Sequence, residues 1–379
     1  MSLDDLGAGL AGTALYEVVA ARAGGDWVAA HAAAKAVNAQ PVTAHPEHAS
    51  LFRGAPAVAY VLHTAGHRAY ARALAELDAE VVAIVVDRLQ AAQQRMDGRT
   101  PPPMREYDLI SGLTGLGAYL LHRGRDDVLQ RILRYLVRLF SEPLTIDGHQ
   151  VPGWWAATDP HGAPGTGQFL RGHANFGIAH GFTGPLALLA LAHRAGCTVA
   201  GQNQALAEGI AHLTQWAQPV KSGGIDWPDF LPLDAYLKGP RPEETEPGRP
   251  SWCYGTPGIG RALQLAALAI HDDQARQLAE DAVFHVITDA RRLGQLEDMS
   301  VCHGWAGFLL VVDRIGSSAV TPEINRHLPV LRAHFSNFLV GHEIPGNAGL
   351  LSGDAGVLLT LHTIDATRPI GWETCLLLD

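Results

Sequence analysis

A motif of two glycines three residues apart recurs along nearly the whole chain, and it constrains the fold more than any other feature. Each copy opens a strongly apolar stretch, such as PLALLALAHRA or AGFLLVVDRI. The pairs are Gly112/Gly115, Gly181/Gly184, Gly255/Gly258, Gly304/Gly307 and Gly353/Gly356, and the related stretch LFRGAPA places Gly54. By subtraction of residue numbers, the first glycines are 58, 69, 74, 49 and 49 residues apart. Such self-similarity predicts a repeat architecture with one structural unit per copy.

Amphipathic stretches lie between the glycine pairs, with apolar residues at helical spacing. They fall at 70–97, 126–140, 203–217, 272–293 and 322–340. No comparable series of alternating strand patterns occurs, so an all-α fold is predicted. One very apolar and one amphipathic helix per copy indicate two layers. The helices of the inner layer are buried all round, and those of the outer layer have one solvent-exposed face. Closed into a ring, these layers form an α/α barrel in which the glycines permit close backbone approach and the motif residues meet at one end.

Two stretches break the helical pattern. Residues 141–172 are rich in Gly and Pro, and residues 219–250 contain seven prolines. We expect long loops over one face of the barrel, because loops of this length usually serve a site. Trp154, Trp155 and Trp227 lie in these loops and either line a peptide groove or anchor the loops.

Composition limits the possible functions. The 379 residues are 47% hydrophobic and 17% charged, with a net charge of −10, which argues against a nucleic-acid surface and against docking on anionic lipid. No apolar run reaches the length of an integral membrane segment, and the start MSLDDLGAGL does not resemble a signal peptide, so we expect a cytoplasmic protein. Because the repeat spans nearly the whole chain without a linker, residues 1–379 are predicted to form a single domain.

Two of the four cysteines occupy matching positions in the repeat. Cys253 lies in WCYGTPG, and Cys302 lies in VCHGWAG beside His303. On successive inner helices these side chains converge, and two thiolates with one imidazole form a zinc set that leaves a fourth position open. The alternative is a pair of buried structural cysteines. Cys197 and Cys375 lie outside the repeat frame and are interpreted as bystanders.

The motifs resemble those of the lanthionine synthetase C-like family, the LanC cyclases that close thioether rings in lanthipeptides. The matching pieces are YDLISGLTGLG, NFGIAHGFTGPLALL, GRPSWCYGTPGIG and SVCHGWAGFL. They occur in family order and span about residues 50 to 360. The resemblance implies an α/α toroid of seven inner and seven outer helices, with the Gly/Pro-rich loops at the active-site end. Six inner starts are identifiable, and the seventh lies either before residue 50 or inside a long gap.

The resemblance also implies a reaction and a set of site residues. One Zn²⁺ per chain is expected, together with addition of a precursor-peptide cysteine thiol to dehydroalanine or dehydrobutyrine. The implied zinc ligands are Cys253, Cys302 and His303, and the implied catalytic residues are Asp108, His180, Arg249 and Tyr254.

Each implied catalytic residue also has a simpler structural interpretation. His180 supplies a proton or accepts the thiol proton, or else it is a helix cap or core group. Asp108 orients His180 or Arg249, or else it is an N-cap. Arg249 neutralises an enolate or holds a carboxylate, or else it is a loop charge. Tyr254 donates a hydrogen bond at the zinc pocket, or else it is a packing aromatic.

The expected partner is a dehydrated precursor peptide that carries a leader. A separate dehydratase and a transporter are further candidate partners. Three other functions compete with that of a cyclase. A LanC-like zinc protein could bind glutathione or another thiol without catalysis. A zinc hydrolase would activate water, although two thiolate ligands suit that poorly. An α/α-barrel glycosidase would need two facing carboxylates, and only Asp108 lies in the motif frame.

Overall fold

The computed structural model describes residues 3–39, 41–241, 243–342, 346–365 and 370–379. The prediction of a mostly helical chain is confirmed. The α-helices within these ranges are, in chain order, α1 (Leu10–Arg22), α2 (Trp27–Val37), α3 (Ala55–Ala65), α4 (Ala71–Asp97), α5 (Met104–Tyr107), α6 (Leu113–Arg123), α7 (Asp126–Ser141), α8 (Thr183–Arg194), α9 (Gln202–Trp216), α10 (Leu233–Lys238), α11 (Thr256–Ile270), α12 (Asp273–Thr288), α13 (Ala290–Leu293), α14 (Trp305–Ser318), α15 (Pro322–Gly341) and α16 (Asp354–Asp365).

Seven apolar helices pack against one another in cyclic order. Helices α1, α3, α6, α8, α11, α14 and α16 each contact the next, and α16 contacts α1. Burial is nearly complete in this inner layer, and in α8 every residue from Thr183 to Ala192 is buried. Six of these helices follow the glycine motifs read from the sequence. The seventh, α1, starts after Gly9 and carries Gly12, so the missing inner start lies before residue 50.

Amphipathic helices cover the outside of this ring. Helices α2, α4, α7, α9, α12 and α15 pack on the inner helices beside them. No predicted stretch corresponds to α2. The bounds of the other five agree with the predicted stretches to within one or two residues, except that α12 ends at Thr288. There Asp289 has an extended backbone, and its carboxylate accepts the N–H of Arg291 to start the short helix α13.

The chain after α16 does not add a further outer helix within its described residues. Instead it forms a 3₁₀-helix, Trp372–Leu376, that packs against the inner layer. Tyr60 on α3 donates to the carbonyl of Trp372 (2.6 Å), and Trp252 Nε1 donates to the carbonyl of Leu376 (3.0 Å). The apolar residues of this segment are buried. Their removal from water stabilises the segment in the interior rather than on the surface. The described outer layer therefore holds six long helices where seven were predicted.

Short strands occur within and beside the two predicted loops. The pairs are antiparallel: β1 (Leu144–Ile146) with β2 (His149–Val151), β3 (His173–Asn175) with β6 (Phe230–Pro232), and β4 (Gln218–Pro219) with β5 (Ile225–Asp226). The β3–β6 pair joins the end of the first loop to the second. Trp154, Trp155 and Trp227 are buried and anchor these loops, since Trp155 Nε1 and Trp227 Nε1 donate to backbone carbonyls (both 2.8 Å). Of the helices in the described ranges, none is long and apolar enough to cross a bilayer.

The glycine motif has a geometric cause that recurs around the ring. A Cβ atom on the second glycine of a pair would collide with the carbonyl oxygen six residues earlier. For Gly258 the collision would be with Trp252 O at 1.9 Å, and for Gly307 with Val301 O at 1.8 Å. Glycine therefore lets the turn before each inner helix pack directly against the first turn of that helix. This close packing fixes the position of the residues between the two.

Candidate metal centre and active site

A cavity of about 1090 Å³ opens where the turns before the inner helices meet. Its walls come from these turns and from both long loops, through Thr158 and Pro160 in the first and Asp229 and Phe230 in the second. All seven residues singled out from the sequence line it, namely Asp108, His180, Arg249, Cys253, Tyr254, Cys302 and His303. Cys197 and Cys375 do not.

Backbone hydrogen bonds join the turns from one repeat to the next. Residues at equivalent positions, mostly five before the second glycine, donate in series around the ring. The bonds run from Leu109 N to Ala179 O (3.1 Å), Ala179 N to Cys253 O (3.4 Å), Cys253 N to Cys302 O (3.2 Å), Cys302 N to Leu351 O (2.9 Å) and Leu351 N to Gly7 O (2.9 Å). Residues far apart in sequence are thereby aligned, and the two cysteines become direct neighbours.

The candidate metal centre consists of Cys253, Cys302 and His303. Their ligand atoms all lie within 4.8 Å of one another. Behind the imidazole, Asp298 Oδ2 lies 3.2 Å from His303 Nε2. A carboxylate that orients a metal-binding histidine through its second ring nitrogen is a recurrent feature of zinc sites. The donor set, its spacing and this carboxylate together fit zinc.

The electrostatics of the cluster favour a thiolate. Hydrogen bonding from Cys302 lowers the pKa of the Cys253 thiol and outweighs burial, with His303 and Ser251 adding to the effect. The same hydrogen bond, together with burial, raises the pKa of Cys302. Bonds to Asp298 and Cys253 raise the pKa of His303 to about 9. A cation bound among these groups would be attracted by the negative charge that this environment favours on the sulfur of Cys253.

His180 and Asp108 form a hydrogen-bonded pair on the cavity wall. His180 Nδ1 lies 2.7 Å from Asp108 Oδ2. Asp108 is only 1% exposed, and its other oxygen accepts the N–H of Ser111 (2.7 Å). Burial would lower the pKa of His180, but the hydrogen bond and charge of Asp108 outweigh it, so the pKa is raised. Nδ1 of His180 is therefore held by Asp108, and Nε2 takes no part in this hydrogen bond.

Tyr254 lies beside His180, with the two rings stacked at 6.5 Å between centroids. Asn175 Nδ2 donates to the Tyr254 hydroxyl oxygen (3.1 Å), so the hydroxyl proton is free to serve a second partner. Burial raises the pKa of Tyr254, which keeps it protonated at neutral pH.

Arg249 reaches the cavity from the end of the second loop. Its side chain is exposed and forms no ion pair with the described residues. The loop before it is anchored by Asp226, whose Oδ2 accepts the N–H of Gly248 (2.8 Å) and pairs with the buried Arg292 (2.8 Å). Thr256, at the start of α11, donates to the other oxygen of Asp226. This network fixes the approach of Arg249 to the site.

Sequence reasoning missed several residues that support the site. Asp298 gave no signal, because its position five residues before His303 does not indicate where it points. Ser251 and Ser300 could have been found, since both lie seven residues before the second glycine, the position that Asp108 occupies in its own repeat. Ser251 Oγ accepts the N–H of Gly255 (3.1 Å), and Ser300 Oγ accepts that of His303 (3.2 Å).

The fold and the site define a helical protein with a Cys-Cys-His metal cluster and a His–Asp pair in one cavity. A family model described as lanthionine synthetase C-like protein matches residues 2–377, so the chain belongs to this family. The nisin biosynthesis protein NisC of Lactococcus lactis subsp. lactis is 25% identical over 340 residues, covering 87% of this chain and 77% of that protein. Nisin cyclase has a similar structure, with a TM-score of 0.79 at 22% identity over 100% of this chain and 92% of that chain. This likeness shows a common fold.

Proposed function

We propose that this chain is a zinc-dependent lanthipeptide cyclase. It adds a cysteine thiol of a dehydrated precursor peptide to the β-carbon of dehydroalanine or dehydrobutyrine and so closes a thioether ring. The observation that carries the proposal is the meeting of two groups in one cavity: a Cys-Cys-His cluster and the His180–Asp108 pair. Family membership and relatives named for nisin biosynthesis and nisin cyclisation support it.

Cys253, Cys302 and His303 are the proposed ligands of one zinc ion, oriented by Asp298 behind the histidine. Zinc held there would lower the pKa of a substrate thiol, so that it reacts as a thiolate near neutral pH. Three protein ligands leave one coordination position for that sulfur. The thiolates of Cys253 and Cys302 would balance the charge of the ion and so keep a substrate sulfur electron-rich.

His180 is proposed to handle the proton. In the addition, a C–S bond forms at the β-carbon, the electrons of the C=C bond move towards the carbonyl, and the α-carbon takes up a proton. With Nδ1 held by Asp108, Nε2 is the atom that accepts the thiol proton or delivers a proton to the α-carbon. The raised pKa of His180 keeps a protonated fraction available near neutral pH.

Arg249 and Tyr254 are proposed to stabilise the negative charge that develops on the substrate carbonyl. The guanidinium of Arg249 lines the cavity without an ion-pair partner among the described residues, so its charge is available to the substrate. Tyr254 accepts a hydrogen bond from Asn175 and can donate its own proton.

The cyclic packing of α1, α3, α6, α8, α11, α14 and α16 supports a further proposal on architecture. We propose that these helices form the inner layer of an α/α toroid and that residues 1–379 fold as one domain. An open cavity at one end of such a ring gives a peptide access to the site without unfolding it.

The competing function is thiol binding without catalysis, and His180 separates the two. His180→Asn should retain zinc and thiol affinity, because neither depends on a proton donor. Ring closure on a dehydrated peptide should slow by roughly 10²–10⁴-fold relative to wild type, above the non-enzymatic background. Mass spectrometry after alkylation of free thiols counts the closed rings.

His149→Asn is the matched control, since His149 is exposed on β2 and does not line the cavity. It should close rings at the wild-type rate. Wild-type rates in His180→Asn would make His180 structural, and absence of ring closure by the wild-type protein would favour thiol binding alone.

A further inference from the structure

The turn at residues 45–50 forms part of the cavity wall and has no part in the chemistry described above. Arg88 reaches this turn from the outer helix α4 and donates to the carbonyl oxygens of Pro46 and Ala49 (both 2.7 Å). It also donates to the carbonyl of Ser111, three residues after Asp108. A charged side chain of the outer layer thus extends to the cavity.

Two more arginines attach to the same turn. Arg105 on α5 donates to the carbonyl oxygen of Glu47. The backbone of Arg53 pairs with that of Ser50 through two hydrogen bonds (2.8 and 2.9 Å). Arg53, Arg88 and Arg105 all line the cavity, and we call them the arginine wall.

Among the described residues, the arginine wall carries positive charge without a direct ion pair, although Asp87 and Asp108 attract Arg88. None of the three guanidinium groups forms an ion pair with a residue in the described part of the chain. The side chains of Arg53 and Arg105 are exposed. Burial and repulsion from Arg105 lower the pKa of Arg88 to about 10, which still leaves it protonated at neutral pH.

The acidic residues that line the cavity are Asp5, Glu47, Asp108 and Asp229, and Asp87 also acts on Arg88 from outside it. Asp108 is held by His180, and the Asp5 carboxylate accepts the N–H of Ala8 (2.8 Å). Glu47 is exposed, and its side chain does not pair with Arg105. In a chain with a net charge of −10, three guanidinium groups gathered around one turn, without ion pairs to the described residues, mark this part of the cavity as a site for a negative group.

A second metal site is the other interpretation of this turn. His45, Glu47 and His48 bring ligand atoms within 4.8 Å of one another, and all three are exposed. A divalent cation there would be repelled by the three arginines and would gain little from exposed ligands in a high dielectric. The charge balance therefore favours an anion over a metal.

We propose that the arginine wall binds a carboxylate of the peptide substrate and so selects peptides with an acidic group near the reacting residues. The inference rests on the proposed function, because it takes the substrate to be a peptide. Arg53 and Arg105 supply free N–H groups in the planar fork that matches a carboxylate, and Arg88 adds charge behind them. The carboxylate comes from an acidic side chain or from the peptide C-terminus.

Short fluorescein-labelled peptides test the proposal on the zinc-loaded protein. They share one sequence with a single cysteine and differ in having Glu or Gln next to it, and each is made with a free or an amidated C-terminus. Fluorescence anisotropy should show roughly tenfold tighter binding of a carboxylate-bearing peptide to the wild-type protein. The Glu/Gln pair and the acid/amide pair identify the source of the carboxylate. The preference should weaken as NaCl rises from about 0.05 to about 0.5 M.

The double variant Arg53→Gln and Arg105→Gln should bind all the peptides alike, with the affinity that the wild type has for the neutral one. The control is Arg68→Gln and Arg131→Gln, which removes two exposed charges outside the cavity and should keep the wild-type preference. An equal preference in both double variants, or none in the wild type, would overturn the proposal. Ring closure is assayed separately, so a carboxylate preference without ring closure would contradict the cyclase proposal alone.

Discussion

Asp108 illustrates how one residue can carry two functions that sequence reasoning treats as alternatives. One oxygen caps its own turn through the N–H of Ser111, and the other holds His180. The sequence predicts a cap from the residue type alone, and the orienting role follows from the family resemblance. Only the packing of two repeats side by side, with Leu109 N bonded to Ala179 O, brings both roles into one side chain.

Asp108→Asn should shift the pH dependence of ring closure. The paired carboxylate raises the pKa of His180, so a step that needs protonated His180 is lost only as pH rises through that raised value. An amide lacks the charge, and the pKa of His180 should fall towards or below about 6.5. The alkaline limb of the kcat/KM profile should therefore move to lower pH, while the cap on Ser111 is kept.

The control for Asp108→Asn is Asp272→Asn, because Asp272 caps α12 through the N–H of Ala275 (2.9 Å) away from the cavity. Its profile should match the wild type. An Asp108→Asn profile with an unshifted alkaline limb would mean that Asp108 does not set the protonation of His180.

Among the structural elements, the inner helices were the most predictable, because each begins with a glycine motif whose spacing is fixed by backbone contact. Five of the six outer helices followed from their helical periodicity, and α2 was not predicted. The short strands did not, since two or three residues such as Ile225–Asp226 are too few to show alternation. Asp298 was missed because the turn that aims it at His303, in which its carboxylate accepts the N–H of Ser300 (2.7 Å), has no distinctive sequence pattern.

Gly307→Ala should destabilise the protein and disturb the metal centre together. The new Cβ would lie 1.8 Å from the carbonyl oxygen of Val301, so the turn that carries Cys302 must move. Overpacking of this kind costs about 3 kcal/mol of unfolding free energy. Urea unfolding should show this loss, and metal analysis of the purified variant should show less zinc.

Gly294→Ala is the matched control for Gly307→Ala. Gly294 has a right-handed φ of −65°, and an added Cβ would meet Ala290 O at an ordinary 3.4 Å. Its stability and zinc content should equal those of the wild type. Equal stability of the two variants would show that the close approach in the motif is not what holds the turns.

At the scale of the whole molecule, the cyclic packing of the inner helices was only partly predictable. Six inner helices followed from the motif, but α1 was not identified, although Gly9 and Gly12 have the same three-residue spacing as the other pairs. The burial of Trp372–Leu376 against the inner layer has no signal in the repeat. It depends on tertiary contacts with Tyr60 and Trp252.

Neutral histidines that are buried or half-buried should make the folded protein sensitive to acid. Burial lowers the pKa of His122 to about 3 and those of His173 and His212 to about 4. The unfolded chain takes up these protons near pH 6.5 and the folded chain does not, so stability falls as the pH drops from about 6.5 to about 4. Each histidine contributes a slope of about 1.4 kcal/mol per pH unit in that range.

His212→Phe tests the contribution of one histidine to this slope. His212 Nε2 has no hydrogen-bond partner among the described residues, and its ring packs among Trp154, Phe176 and Phe182, so phenylalanine loses no hydrogen bond at this nitrogen. Urea unfolding of this variant between pH 6 and 5 should show a slope smaller by about 1.4 kcal/mol per pH unit. An unchanged slope would mean that His212 is protonated in the folded state.

The most direct test of the central claim is the number of thioether rings formed on a dehydrated peptide as zinc is removed and restored. The proposed ligands predict that chelation reduces closure to the non-enzymatic background and that added zinc restores it in the wild type. Cys302→Ala should recover neither the metal nor the activity. Ring closure at the full rate by zinc-free wild-type protein would contradict a zinc-dependent cyclase at this site.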